Sequence, residues 1–212
     1  MGYFITFEGV EGCGKTTQIR LLADKLQLAG YDVLTTREPG GCPIADQIRG
    51  ILLDAENCSM VPMAELLLYA AARAQHVSEV IAPAISRNAI VLCDRFTDAT
   101  MAYQSYGRDI SRHTVETLNT LACQSVKPDM TVLLDFDPEN GLNRARKRIE
   151  ECSGPKEERF ELEALTFHQN VRNGYLELAR HEPGRFIVID ANGSIEAVSN
   201  NVFSAVSVRM KR

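Results

Sequence analysis

The segment Gly9-Val10-Glu11-Gly12-Cys13-Gly14-Lys15-Thr16 has the spacing GxxxxGK[ST]. It lies between an apolar, β-type run (Tyr3 to Phe7) and a helical pattern (Thr16 to Ala29). In that setting the glycines let backbone N–H groups turn inward around phosphate oxygens, and the start of the helix adds partial positive charge. Lys15 is placed to reach the β- and γ-phosphates, and the Thr16 hydroxyl to hold Mg²⁺, while Thr17 beside it belongs to the ATP-binding set. Such a loop takes a nucleoside triphosphate but does not separate a kinase from a GTPase or an ATPase. The guanine-reading NKxD does not follow a strand here, where the chain has Asp190-Ala191-Asn192. Cys13, at the helix start, reads as a small residue in a tight loop.

Phosphoryl transfer to a second molecule requires further cations near that loop, and groups that identify the acceptor. Arg37 and Arg95 follow the second and third strand-like runs, at the ends where parallel sheets bind ligands. Two guanidiniums there can clamp a second phosphate bidentately. Asp94 is the best carboxylate for Mg²⁺ or its waters. Tyr69 and Arg73 are four apart and share a helix face, rotated away from the Leu66/Leu67/Ala70/Ala74 stripe. A ring beside a forked donor can stack on a base and bond its edge, although an interface tyrosine and a surface arginine fit this pair as well. Thr100, Tyr103 and Gln104 form a similar set, and the glutamine amide both donates and accepts, which suits a pyrimidine edge. Arg144, Arg146, Arg148 and Arg159 flank a polar stretch and suit a basic lid over the moving phosphoryl group. Away from a phosphate loop the same arginines would read as a solvated helix end. The histidines at 76, 113, 168 and 181 show no metal-ligand spacing and read as surface or core residues.

The elements that must carry these residues follow from periodicity. Strands are expected at Tyr3–Phe7, Asp32–Thr36, Ala89–Cys93, Met130–Leu134 and Phe186–Ile189, the last three with the apolar look of strands buried on both faces. Helices are expected at 16–29, 45–53, 63–87 (with Pro83 kinking or ending it), 98–105, 111–124, 138–149, 161–180 and 194–208. Strands alternating with helices imply an α/β fold with a parallel sheet covered on both faces. The stretch from Glu150 to Arg159, broken by Gly154-Pro155, is expected to be a mobile loop. The chain has 212 residues and a net charge of −5, which suits one domain (1–212) and makes broad nucleic-acid or membrane-surface binding a poor fit. Its six cysteines form no CxxC pair and read as reduced thiols of a cytoplasmic protein. No signal peptide and no apolar run of membrane length is evident.

The chain resembles the bacterial thymidylate kinases from Phe4 to about Ala191. The likeness rests on Phe7-Glu8-Gly9-Val10-Glu11-Gly12-Cys13-Gly14-Lys15-Thr16, Thr36-Arg37-Glu38-Pro39-Gly40-Gly41, Glu65-Leu66-Leu67-Leu68-Tyr69 with Ala72-Arg73, Asp94-Arg95-Phe96 and Ala102-Tyr103-Gln104. It implies a P-loop NTPase fold with five parallel strands and a short lid at about 148–160, and ATP- and Mg²⁺-dependent phosphorylation of dTMP to dTDP. Arg37 and Arg95 would then hold the dTMP phosphate. Tyr69 would stack on thymine, Arg73 would bond a thymine carbonyl, and Thr100 and Gln104 would lie beside the base. Tyr103 would crowd the ribose 2′ position, and Glu11 would lie near the sugar and phosphate. Arg144, Ala191 and Asn192 would border ATP. The phosphate loop has no arginine among its variable residues, so the resemblance assigns the extra catalytic arginine to the lid, with Arg148 and Arg159 as candidates beside Lys15 and Arg95. It also implies a cis Glu38–Pro39 bond and a homodimer formed through helices. Within the enzymes a kinase for a nucleoside or another nucleoside monophosphate stays open, and outside them an ATP-dependent switch.

Overall fold

A computed structural model describes residues 2–151 and 159–210. Five strands, β1 (Tyr3–Glu8), β2 (Val33–Arg37), β3 (Ile90–Asp94), β4 (Met130–Asp135) and β5 (Phe186–Asp190), form one sheet in the order β2-β3-β1-β4-β5. Every neighbouring pair is parallel. Apolar, β-branched runs make these strands because pleated, two-sided burial rewards such side chains. β3 is buried along Ile90–Cys93, whereas β5, at the sheet edge, leaves Val188 half-exposed, so the expectation of two-sided burial fails there.

The helices are α1 (Lys15–Leu28), α2 (Pro43–Leu53), α3 (Pro62–His76), α4 (Ala82–Ser86), α5 (Thr97–Thr100), α6 (Arg112–Cys123), α7 (Pro138–Glu151), α8 (Leu165–His181) and α9 (Ile195–Met210). On one side of the sheet Ile19, Leu22 and Leu26 of α1 and Val198, Val202 and Val206 of α9 pack on Ile5, Phe7, Val132 and Ile189. On another, Leu66 of α3 and Val171, Tyr175 and Leu178 of α8 meet Leu133 and Phe186. Among the described residues no helix is long and apolar enough to cross a membrane.

Three expectations are corrected. The span 63–87 is not one helix: α3 passes through a π-helical turn (Val77–Ile81) into α4. Pro83 has no N–H for the Glu79 carbonyl, and the widened turn absorbs that break, with the Ala82 N–H reaching back to the Val77 carbonyl. A second π-helical stretch, Met101–Gly107, continues α5 and carries Tyr103 and Gln104. Glu161–Ala164 is not helical, because Ala164 is extended and α8 starts at Leu165. The lid segment expected at about 148–160 falls partly, from 152 to 158, outside the described residues, as do Cys152 and Gly154-Pro155.

Candidate active site

Each strand ends on a charged residue; those of β2 and β3, Arg37 and Asp94, line one cleft, whereas Glu8 of β1 is buried and does not. Phe7 and Arg37 are both in register with Asp94, so the ends of three strands form one rung beneath the loop Gly9–Gly14. β1 is the central strand from which the chain departs first to one side and later to the other, the place where open α/β sheets bind ligands. A cavity of about 630 Å³ lies here, of ligand size.

At one end the wall consists of Glu11, Gly12, Gly14, Lys15, Thr16 and Thr17. Gly12 has φ 66°, and a Cβ there would stand 2.2 Å from the Gly141 carbonyl oxygen of α7, so the loop closes only with a glycine. Gly9, Val10 and Cys13 are buried and do not line the cavity. Lys15 Nζ turns into its own loop, donating to the carbonyls of Gly9 (3.1 Å) and Val10 (3.0 Å). Thr16 Oγ1 donates to Asp94 Oδ2 at 2.9 Å, and both side chains line the cleft. A hydroxyl and a carboxylate oxygen are the hard donors a small divalent cation takes when substrate and water complete its shell, so these residues fit Mg²⁺. Among the described residues no group of three or more His, Cys, Asp or Glu could hold a metal by itself.

At the other end the wall comprises Arg37, Tyr69, Arg73, Arg95, Thr100, Tyr103 and Gln104, so with Glu11 all eight predicted acceptor residues border one space. Arg95 adopts a left-handed backbone (φ 69°), uncommon for a side chain of its size. Its guanidinium comes back over the loop, donating to the Gly9 carbonyl (3.0 Å), Glu11 Oε1 (3.1 Å) and the Tyr175 hydroxyl (3.1 Å), and lies 4.8 Å from the Tyr103 ring centre. The Tyr103 hydroxyl donates to Glu11 Oε1 as well. Burial would raise the pKa of Glu11, but the His168 hydrogen bond and the Arg95 charge outweigh it and hold this carboxyl well below the usual range. Arg37 remains 47% exposed and pairs with Asp46 at 3.1 Å, at the rim of the cavity rather than its floor.

Arg73 is not on a solvent-facing side of α3. It is buried, with Nε on Glu38 Oε2 (2.8 Å), Nη1 on Asn119 Oδ1 (2.7 Å) and Nη2 on Thr100 Oγ1 (2.9 Å). Leu67, counted with the apolar stripe, is half-exposed instead. The helix turns its charged side inward because Glu38 supplies a carboxylate to both Arg73 and His76. The Glu38–Pro39 bond is cis, as the resemblance implies.

The two lid arginines separate. Arg148 is exposed and lines the cleft. Arg159 is buried away from it: Nη1 meets Glu65 Oε2 at 2.7 Å, Nε donates to the Leu52 carbonyl, and the guanidinium lies against Phe160. Glu65 is a hub that also receives Gln104 Nε2 (2.7 Å) and Arg108. Arg144 lines the main cavity and a second hollow formed with Phe136, Asn140, Asn143, Lys147 and Asn192. Ala191 is buried beside it in sequence.

A model of the thymidylate kinase family matches residues 7–202. The chain belongs to the thymidylate kinase family. The thymidylate kinase of Trichlorobacter lovleyi is 64% identical over 207 residues, covering 98% of both chains, and that of Geobacter sulfurreducens is 58% identical over 212 residues, covering 100% of both. A crystal structure of thymidylate kinase from Ehrlichia chaffeensis superposes with a TM-score of 0.78 at 33% identity, covering 97% of this chain and 98% of that one. The family's enzymes are ATP:dTMP phosphotransferases, so the cleft is to be read as that of a nucleotide kinase with a P-loop NTPase fold.

Glu8, His168, Tyr175, Glu38 and Asn119 were not singled out by residue type and spacing. Glu8 and Glu38 fall inside the quoted motifs without a role, and the others join the site from α6 and α8, with no local signal to mark them.

Proposed function

We propose that this protein transfers the γ-phosphoryl group of ATP to dTMP, giving dTDP and ADP, with Mg²⁺. The observation that carries the reading is that one cavity is lined both by the phosphate loop and by Tyr69, Arg73, Arg95, Thr100 and Gln104. In this reading Lys15 exchanges its loop carbonyls for β- and γ-phosphate oxygens. Arg95 and Arg37 hold the acceptor phosphate. Arg148 approaches the moving group from the lid side, Arg159 anchors the lid to Glu65, and Arg144 and Asn192 flank the adenosine end. Thr16 and Asp94 would hold Mg²⁺, which when bound neutralises charge on the β- and γ-phosphates. The acceptor oxygen belongs to an ionised phosphate, so no general base is needed. Catalysis is alignment plus cations placed where charge develops.

Tyr69 supplies a ring for stacking. Arg73 spends three of its five N–H groups on Glu38, Asn119 and Thr100, leaving two for a base carbonyl. The Tyr103 hydroxyl, fixed on Glu11, narrows the space available to a ribose 2′ hydroxyl. The reading includes a single domain in the cytoplasm and a homodimer through the exposed Met63 and Leu67 of α3. It includes neither a nucleic-acid nor a membrane partner.

The test is ADP release with dTMP, dUMP, AMP, CMP and GMP as acceptors. dTMP is expected to have the highest kcat/KM by at least about tenfold, the worth of one good contact. A better ribonucleotide acceptor, or ADP release that ignores every acceptor, overturns the reading.

A further inference from the structure

His168, in the first turn of α8, is fully buried and does not line the cavity. Both ring nitrogens are engaged. Nε2 lies 3.0 Å from the Phe160 carbonyl oxygen, and a carbonyl only accepts, so Nε2 carries a hydrogen. Nδ1 lies 3.0 Å from Glu11 Oε2. The other oxygen of that carboxylate already receives the Tyr103 hydroxyl and Arg95 Nη2. With two donors on Oε1, one of them a guanidinium whose charge helps hold this carboxyl well below the usual range, Glu11 stays ionised and has no hydrogen to give, so Nδ1 must donate too. With hydrogens on both nitrogens the ring is an imidazolium.

This cation resolves a conflict within the phosphate loop. Glu11 puts a negative charge beside a space that must receive phosphate groups, and on its own it would consume the charge of Arg95. Backed by a buried positive ring, the carboxylate belongs to a neutral pair, yet it still fixes the direction of Arg95 and Tyr103. The same ring ties the turn at Phe160, which leads into α8, to the loop.

We propose that His168 is a positioning residue: as an imidazolium it neutralises and orients Glu11, leaving the charge of Arg95 for the acceptor phosphate, and it clasps the turn at Phe160 to the phosphate loop. This rests on the functional reading above, since the acceptor phosphate is assigned there.

Two measurements test it. Nitrogen-15 spectra of histidine-labelled wild-type protein at pH 7, with His168→Gln to assign the signal, are expected to show both ring nitrogens of His168 protonated; a neutral tautomer overturns the proposal. Kinetics of His168→Gln, Glu11→Gln and the double variant form a cycle. His168→Gln is expected to raise the acceptor KM about tenfold with the ATP KM changed less than about twofold, and to add little in the Glu11→Gln background. Equal losses in both backgrounds, or acceptor and ATP KM rising together, overturn it. Should His168→Gln not fold, the wild-type spectrum, assigned by the remaining histidines, still decides. Failure of wild-type protein to phosphorylate dTMP would count against the functional reading, while the spectrum would still report on His168.

Discussion

Glu8 closes β1 with both carboxyl oxygens occupied, Oε1 by the Phe96 N–H and Oε2 by the Tyr175 hydroxyl, each at 2.8 Å. Burial first, then the nearby Asp98 charge, push its pKa up from 4.5 to about 8 against the pull of Arg95. An acid whose folded pKa lies above its unfolded one stabilises the fold below the unfolded value and loses that contribution as pH rises to the folded one. For Glu8 the window runs from 4.5 to about 8. Glu8→Gln keeps an acceptor for Phe96 and never ionises. Its Tm relative to wild type is therefore expected to rise between pH 5 and pH 8, by roughly 2–4 °C for each kcal/mol of relieved penalty. A difference in Tm that stays flat across that range would contradict the assignment. At this scale the sequence displayed the residues that face a ligand, because loops and strand ends expose their chemistry as local motifs. It hid those that stand behind them: His168 is 157 residues from Glu11 and Tyr175 is 167 from Glu8, so only folding brings them together.

The phosphate loop and α7 meet backbone to backbone at Gly12 and Gly141. A Cβ on Gly141 would stand 2.3 Å from the Glu11 carbonyl oxygen, the counterpart of the close approach at Gly12. Gly141→Ala must push α7, with Arg144 and Arg148, away from the loop. A stability loss of about 1–3 kcal/mol is expected in thermal melts, with weaker ATP binding by calorimetry. A variant with unchanged melting and ATP affinity would show that α7 is free to shift. Element types were readable from apolar periodicity, while their ends were not. All five strands run one residue past their expected ends, to Glu8, Arg37, Asp94, Asp135 and Asp190, because the ladder continues while the side chain has already turned charged. The inward charge of α3 escaped the pattern for a related reason: Arg73 is buried by its partner Glu38 on another element, and periodicity counts apolar residues only.

At the scale of the whole molecule, the account requires two nucleotides to occupy one cleft together, the triphosphate over Gly12–Thr17 and the monophosphate at Arg95, Tyr69 and Arg73. The order β2-β3-β1-β4-β5 places both ends on the same edge of the sheet, and the sequence pointed to that edge through the alternation of strand and helix. Hydropathy placed Leu67 with an interior stripe, but the fold leaves it half-exposed; a sequence pattern shows that a face is apolar, not what covers it. The most direct test of the central claim is calorimetric titration of dTMP into the protein, first alone and then saturated with a non-hydrolysable ATP analogue. The account predicts one dTMP per chain in both titrations and, for Arg95→Gln, dTMP affinity lower by about thirtyfold or more, the lower end of the cost of truncating a buried charged hydrogen-bond partner. Loss of dTMP binding when the analogue is present, or unchanged dTMP affinity in Arg95→Gln, would contradict it.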